Sequence, residues 1–156
     1  MIPENYIKMC EKAEEIQKAW KPKVGDYALC SYAKTVEIYI ISKIEVEGSA
    51  KKFGIIYYIN EIKGLASATL MGNILKDDFV WLPTQEQLQE MTEGRFHIWG
   101  NLNSLSMTAS IADRDSHQVC KNIDSMNELW LCYVMKEKYN KIWTGQKWVK
   151  AEEMIK

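Results

Sequence analysis

Arginine is almost absent from this chain: of its 20 basic residues only two are Arg, and His also occurs only twice. Basic and acidic residues balance, 20 against 21, for a net charge of −1. A binder of duplex nucleic acid needs a surplus of Lys and Arg to displace counterions from phosphates, so no duplex partner is expected. The four cysteines, Cys10, Cys30, Cys120 and Cys132, contain no CxxC pair. Structural zinc is therefore not expected. Cys10 and Cys132 fall in helical segments among apolar neighbours, which predicts buried free thiols. The longest apolar run, Leu129 to Met135, is far too short to span a bilayer. Met1 to Asn5 has neither the basic nor the apolar region of a secretory signal. The expectation is a cytoplasmic chain without membrane contact. GxGxxG, HExxH, GxSxG and GxxxxGK followed by Ser or Thr are all missing, which removes the best-marked nucleotide-loop, peptidase and esterase chemistries. No cofactor and no metal are expected.

What is present suits a folded core. At 156 residues and 47% hydrophobic content, residues 1–156 read as a single domain. Six Trp and eight Tyr are many for this length. Most should serve packing, although aromatic rings also stack on ligands and anchor interfaces.

Residues 3–20 predict an amphipathic helix, with Tyr6, Met9, Cys10, Ala13, Ile16 and Trp20 on one face and Pro3 in the first turn. Lys21-Pro22 stops it. A strand follows over Tyr27 to Ser31. Alternation is clearest from Val36 to Val46: Val36, Ile38, Ile40, Ile44 and Val46 face one way, Glu37, Tyr39, Lys43 and Glu45 the other, with a break at Ser42. Gly48 to Lys52 reads as a hairpin loop, and Phe53 to Ile62 as the return strand. Weaker strands are expected at Ala66 to Met71, Phe79 to Leu82 and Phe96 to Trp99. Thr84 with Gln87, and Ser125 with Glu128, are capping-box patterns that open helices over Gln85 to Thr92 and from Ser125 through Tyr139. Asn140 suits a left-handed cap, and Thr144-Gly145 a terminal hairpin. The expected fold is α+β: an antiparallel sheet of about four to six strands, an N-terminal amphipathic helix and a buried helix near the C-terminus.

Three blocks carry a resemblance. Ile2 to Tyr27, Phe79 to Met91 (FVWLPTQEQLQEM) and Ser125 to Val149 (SMNELWLCYVMKEKYNKIWTGQKWV) resemble small proteins encoded by bacteriophages and prophages of Gram-positive bacteria. The blocks leave more than half of the chain unmatched. That family carries no assigned activity, so the resemblance implies phage origin and transfers no catalytic residue.

One distribution points to function. Every Arg and His of the chain (Arg95, His97, Arg114 and His117) falls between positions 95 and 117. Arg offers a planar fork for phosphate or carboxylate, and His adds donors and a stacking face. Trp99 supplies an aromatic platform in the same window, and Asp115 a further polar contact. Arg95, His97, Trp99, Arg114, Asp115 and His117 are thus the candidate ligand-binding residues. The expected function is a non-enzymatic, phage-encoded binding protein of the anti-defence type. Its partner is a small anionic or nucleotide ligand, or a host protein. Two alternatives stand beside it: an accessory protein for single-stranded nucleic acid, and a small metal-dependent hydrolase or nuclease built on Asp113, Asp115 and His117. On plain chemistry the stretch Asp113 to His117 also reads as a solvated loop of turn formers. Homo-oligomerisation is left open.

Overall fold

In the computed structural model the apolar stripe of residues 3–20 is buried, but two helices carry it, α1 (Glu4–Glu11) and α2 (Glu14–Ala19). Tyr6, Met9, Cys10, Ala13, Ile16 and Trp20 all belong to the core. Lys12 caps α1, and the Ala13 amide turns back to the Cys10 carbonyl at 3.1 Å, a tighter turn that interrupts the ladder. Neither Lys12 nor Ala13 opposes a helix, so the break has no local sequence cause. Pro3 stands one place earlier than expected, as the N-cap, and its carbonyl accepts from Ile7 at 3.2 Å. The structure describes residues 2–30, 38–47, 50–60, 64–66, 79–92, 120 and 122–154, with the backbone alone for 42–47, 50–60, 64–66 and 154. The expected strand Phe96 to Trp99 lies outside them. So does most of the strand expected from Ala66 to Met71.

The chain is α+β and divides into two compact units, one made of Met1–Glu15 with Thr84–Lys156, the other of Ile16–Pro83. Among the described residues the second unit is built on a five-stranded antiparallel sheet. Its strands are β1 (Tyr27–Cys30), β2 (Ile38–Glu47), β3 (Ala50–Asn60), β4 (Gly64–Ala66) and β5 (Phe79–Trp81), in spatial order β4-β3-β2-β1-β5. The β2–β3 pairing reaches Glu47↔Ala50, so Ala50 to Lys52 belong to the strand rather than to the expected loop.

Strand parity is a correction. Tyr39 and Ile41 are the buried residues at the start of β2, while Ile38 and Ile40 are half-buried. Tyr39 meets the ring of Phe79 edge-on at 6.4 Å, which draws the aromatic rather than the isoleucines inward. Pairing with β3 is irregular at Ile40/Ile41 and Ile41/Lys43, beside Ser42 where the alternation of the sequence breaks. An extra residue in one strand turns the following side chains to the opposite face.

A buried polar knot holds the entry to this sheet. The Asp26 carboxylate, 2% exposed, accepts from the Trp20 indole and the Lys23 amide, both at 2.8 Å. The Asp26 carbonyl accepts from Ile41 at 2.9 Å, and Gly25 donates to the Ile41 carbonyl at 2.7 Å. Gly25 takes φ +95°, a conformation that favours glycine.

The first unit is mainly helical. It contains α1, α3 (Gln85–Met91), α4 (Met126–Tyr139) and a hairpin of β6 (Lys141–Trp143) with β7 (Trp148–Lys150). A 3₁₀ turn over Ala151–Met154 follows. Both expected capping boxes form, each with the side chain and the backbone answering one another. Trp148 donates from its indole to the Met9 carbonyl at 2.9 Å, and Lys12 reaches the Gln146 carbonyl at 2.6 Å. Trp143 and Trp148 are buried and meet at 5.2 Å, so they close core rather than present a stacking surface.

Candidate functional site

Helix α4 is the axis of the first unit. Its residues Trp130 to Met135 are apolar all round, and each is buried, as a central helix requires. It begins at Ser125, whose hydroxyl accepts from Glu128, and ends at Asn140 in the left-handed conformation (φ 51°, ψ 39°). Asn140 also donates from Nδ2 to Glu152 at 3.1 Å, and its carbonyl accepts from Ala151 at 2.9 Å. Helices α1 and α3 both pack on α4.

Two fastenings on α4 bracket residues 93–119. On the N-terminal side, Met91 ends α3, where helix carbonyls lack partners within the helix. Lys138, in the last turn of α4, donates to the Met91 carbonyl at 2.7 Å. On the C-terminal side, Cys120 is disulfide-bonded to Cys132 in the middle of α4. Cys120 also forms an isolated parallel bridge with Trp143 of β6. Cys132 is thus no free thiol, contrary to the sequence expectation. Helical periodicity placed it correctly in the core, but nothing in the spacing of Cys120 and Cys132 marked them as partners. Cys10 and Cys30 are buried and take part in no disulfide.

The connection from Cys120 into α4 is tied further. Asn122, at φ 56°, accepts at its carbonyl from the Asn5 side-chain Nδ2 at 2.8 Å. Glu128 Oε2 accepts from the Asp124 amide at 2.6 Å and the Ser125 amide at 3.2 Å. Glu128 is fully buried, and its Oε1 has no hydrogen-bond partner among the described residues. The indole nitrogens of Trp130 and Trp143 are likewise buried without one among the described residues. Buried orphan groups of this kind carry a desolvation cost and are uncommon.

Glu128 belongs to a buried ionisable cluster with Tyr6 and Cys10. Burial pushes the Tyr6 hydroxyl well above its usual range, with the neighbouring Cys10 and Glu128 adding to it. Burial also pushes the Cys10 thiol up, only partly opposed by its hydrogen bond with Tyr6. A thiol held protonated in this way is a poor nucleophile. The cluster is structural chemistry, and Cys10 packs as a small apolar residue.

Arg95, His97, Trp99, Arg114, Asp115 and His117, together with Asp113, all lie outside the described residues. What the structure places is the pair of attachment points on either side of them. The sequence pattern identified α3 and α4 but not Lys138 or Cys120 as the fasteners. Among the described residues no three of His, Cys, Asp and Glu gather as metal ligands, and no helix is long and apolar enough to cross a membrane. No protein-family model, curated protein or solved structure matches the chain.

Proposed function

We propose that this chain is a phage-encoded, non-enzymatic binding protein of the host cytoplasm that takes a small anionic or nucleotide-type ligand through the window from Arg95 to His117. The observation that carries this reading is the double attachment to α4, by Lys138 to Met91 and by Cys132 to Cys120. Binding residues are commonly borne on segments positioned by a rigid scaffold, and fixing the ends of a segment lowers the ordering cost of binding. The chain's only guanidinium and imidazole groups fall between these two attachments. An Arg fork beside an aromatic ring is the chemistry that holds a phosphate and a base together.

The three phage-like blocks supply α1, both attachment helices and the terminal hairpin, which supports a shared frame carrying an individual insert. Thermal-shift measurements against nucleotides, cyclic ones included, test the proposal. At least one ligand should raise the melting temperature, because binding to the folded state alone stabilises it. A flat response across the panel removes the nucleotide reading.

A further inference from the structure

We propose that Cys120 and Cys132 form a reversible dithiol–disulfide couple that fastens and releases the chain just ahead of α4. The proposal takes its cytoplasmic setting from the proposed function and is independent of the ligand. Disulfides that persist in a reducing compartment are usually catalytic or redox-sensing rather than structural. The two sulfurs are held very differently. Cys132 stands in the middle of α4, fully buried and fixed by the helix on both sides. Cys120 is 5% exposed, lies outside every helix and named strand, and among the described residues is held by the disulfide and by its bridge to Trp143. One end of the bond therefore sits inside a helix and the other outside any regular element. The connection that follows has its own ties, from Asn5 to Asn122 and from Glu128 to Asp124 and Ser125. Opening at Cys120 therefore need not unravel the start of α4.

The reductant is an external dithiol. Its thiolate attacks the Cys120 sulfur once that segment lifts, forming a mixed disulfide as the Cys120–Cys132 bond breaks. The electron pair leaves on Cys132, which takes up a proton. The second thiol of the reductant then displaces Cys120, closing its own disulfide and leaving two protein thiols. Two electrons and two protons pass to the protein, and the dithiol is oxidised. Cys10, in the same unit, does not compete, because its buried thiol resists ionisation.

The test is a titration of the native full chain in buffers of reduced and oxidised dithiothreitol, quenched, alkylated and read by peptide mass. Cys120 and Cys132 should change together, while Cys10 and Cys30 stay thiols throughout. Reduction should lower the melting temperature by about 6–12 °C, as expected for losing a short-loop disulfide in a chain of this size. Cys120→Ser should melt with the reduced protein in either buffer. Should that variant fail to fold, the reduced and oxidised wild-type proteins make the same comparison. Four free thiols in denatured, unreduced protein would overturn the proposal. So would a bond that survives excess dithiol in the native chain. Failure of the nucleotide panel leaves both readouts untouched, so the two proposals fail separately.

Discussion

Gln17 hydrogen-bonds both backbone groups of Trp81: its Nε2 donates to the Trp81 carbonyl at 3.0 Å, and its Oε1 accepts from the Trp81 amide at 2.8 Å. A side-chain amide thereby stands in for a neighbouring strand. Among the described residues β5 is the last strand on its side of the sheet, so this contact covers an edge that no other described strand pairs. One turn further on, Trp20 stacks on the Trp81 ring at 5.8 Å with an interplanar angle of 3°.

Removing that amide should destabilise the Ile16–Pro83 unit. Gln17→Ala leaves both Trp81 groups without these partners, at an expected cost of about 2–4 kcal/mol. Gln17→Glu keeps an acceptor for the amide but sets a carboxylate oxygen against the carbonyl, so it should recover less than half of the loss. Urea midpoints followed by tryptophan fluorescence check the order wild type, Glu, Ala. A Glu variant as stable as wild type would refute the two-way pairing.

The core of the other unit makes a pH prediction. Tyr6 and Cys10 have raised values in the fold, against ordinary values of 10.0 and 9.0. Above those values the unfolded chain releases protons that the folded chain retains. Stability is therefore fully present below about pH 9 and lost as pH rises, by up to about 1.4 kcal/mol per pH unit for each group. Tyr6→Phe should flatten the fall above pH 10 while losing some stability at neutral pH. Urea denaturation across this range measures both slopes, and identical slopes would contradict the assignment.

The start of α4 separates the roles of two residues. Ser125→Ala should cost about 1 kcal/mol as the loss of a helix cap. Glu128→Ala should cost more, about 3 kcal/mol, since it orphans the amides of Asp124 and Ser125 and empties a buried volume. Glu128→Gln keeps an oxygen for those amides and should fall nearer to wild type than to Ala. Thermal unfolding of the three variants gives the ranking.

For the proposed ligand, substitution of Arg by Lys is the sharper probe than Ala. Arg95→Lys and Arg114→Lys preserve charge but lose the planar fork. Each should weaken binding by about tenfold to a hundredfold without moving the melting temperature of the unliganded protein. Titration calorimetry with the best nucleotide from the thermal panel reads this directly. Unchanged affinity in both variants would disconnect the window from binding.

Features written within a few neighbouring residues were legible in the sequence. Both capping boxes, the left-handed Asn140, the buried α4 and the Trp143/Trp148 hairpin rest on contacts among close neighbours, and each was readable from spacing alone. Features set by distant partners were not. Tyr39 turns inward because Phe79 from another strand is there to meet it, which alternation within β2 does not encode. Cys132 finds Cys120, and Lys138 finds Met91, through the packing of α3 and the residue-120 segment against α4. Of the candidate site, the sequence named the chemical groups and the structure supplies the points to which their segment is attached.

Fastening both ends of one stretch to a single helix makes that stretch an exchangeable cassette. Its closure is secured by Lys138 and Cys132, neither of which belongs to it, so its content can drift without asking the frame to refold.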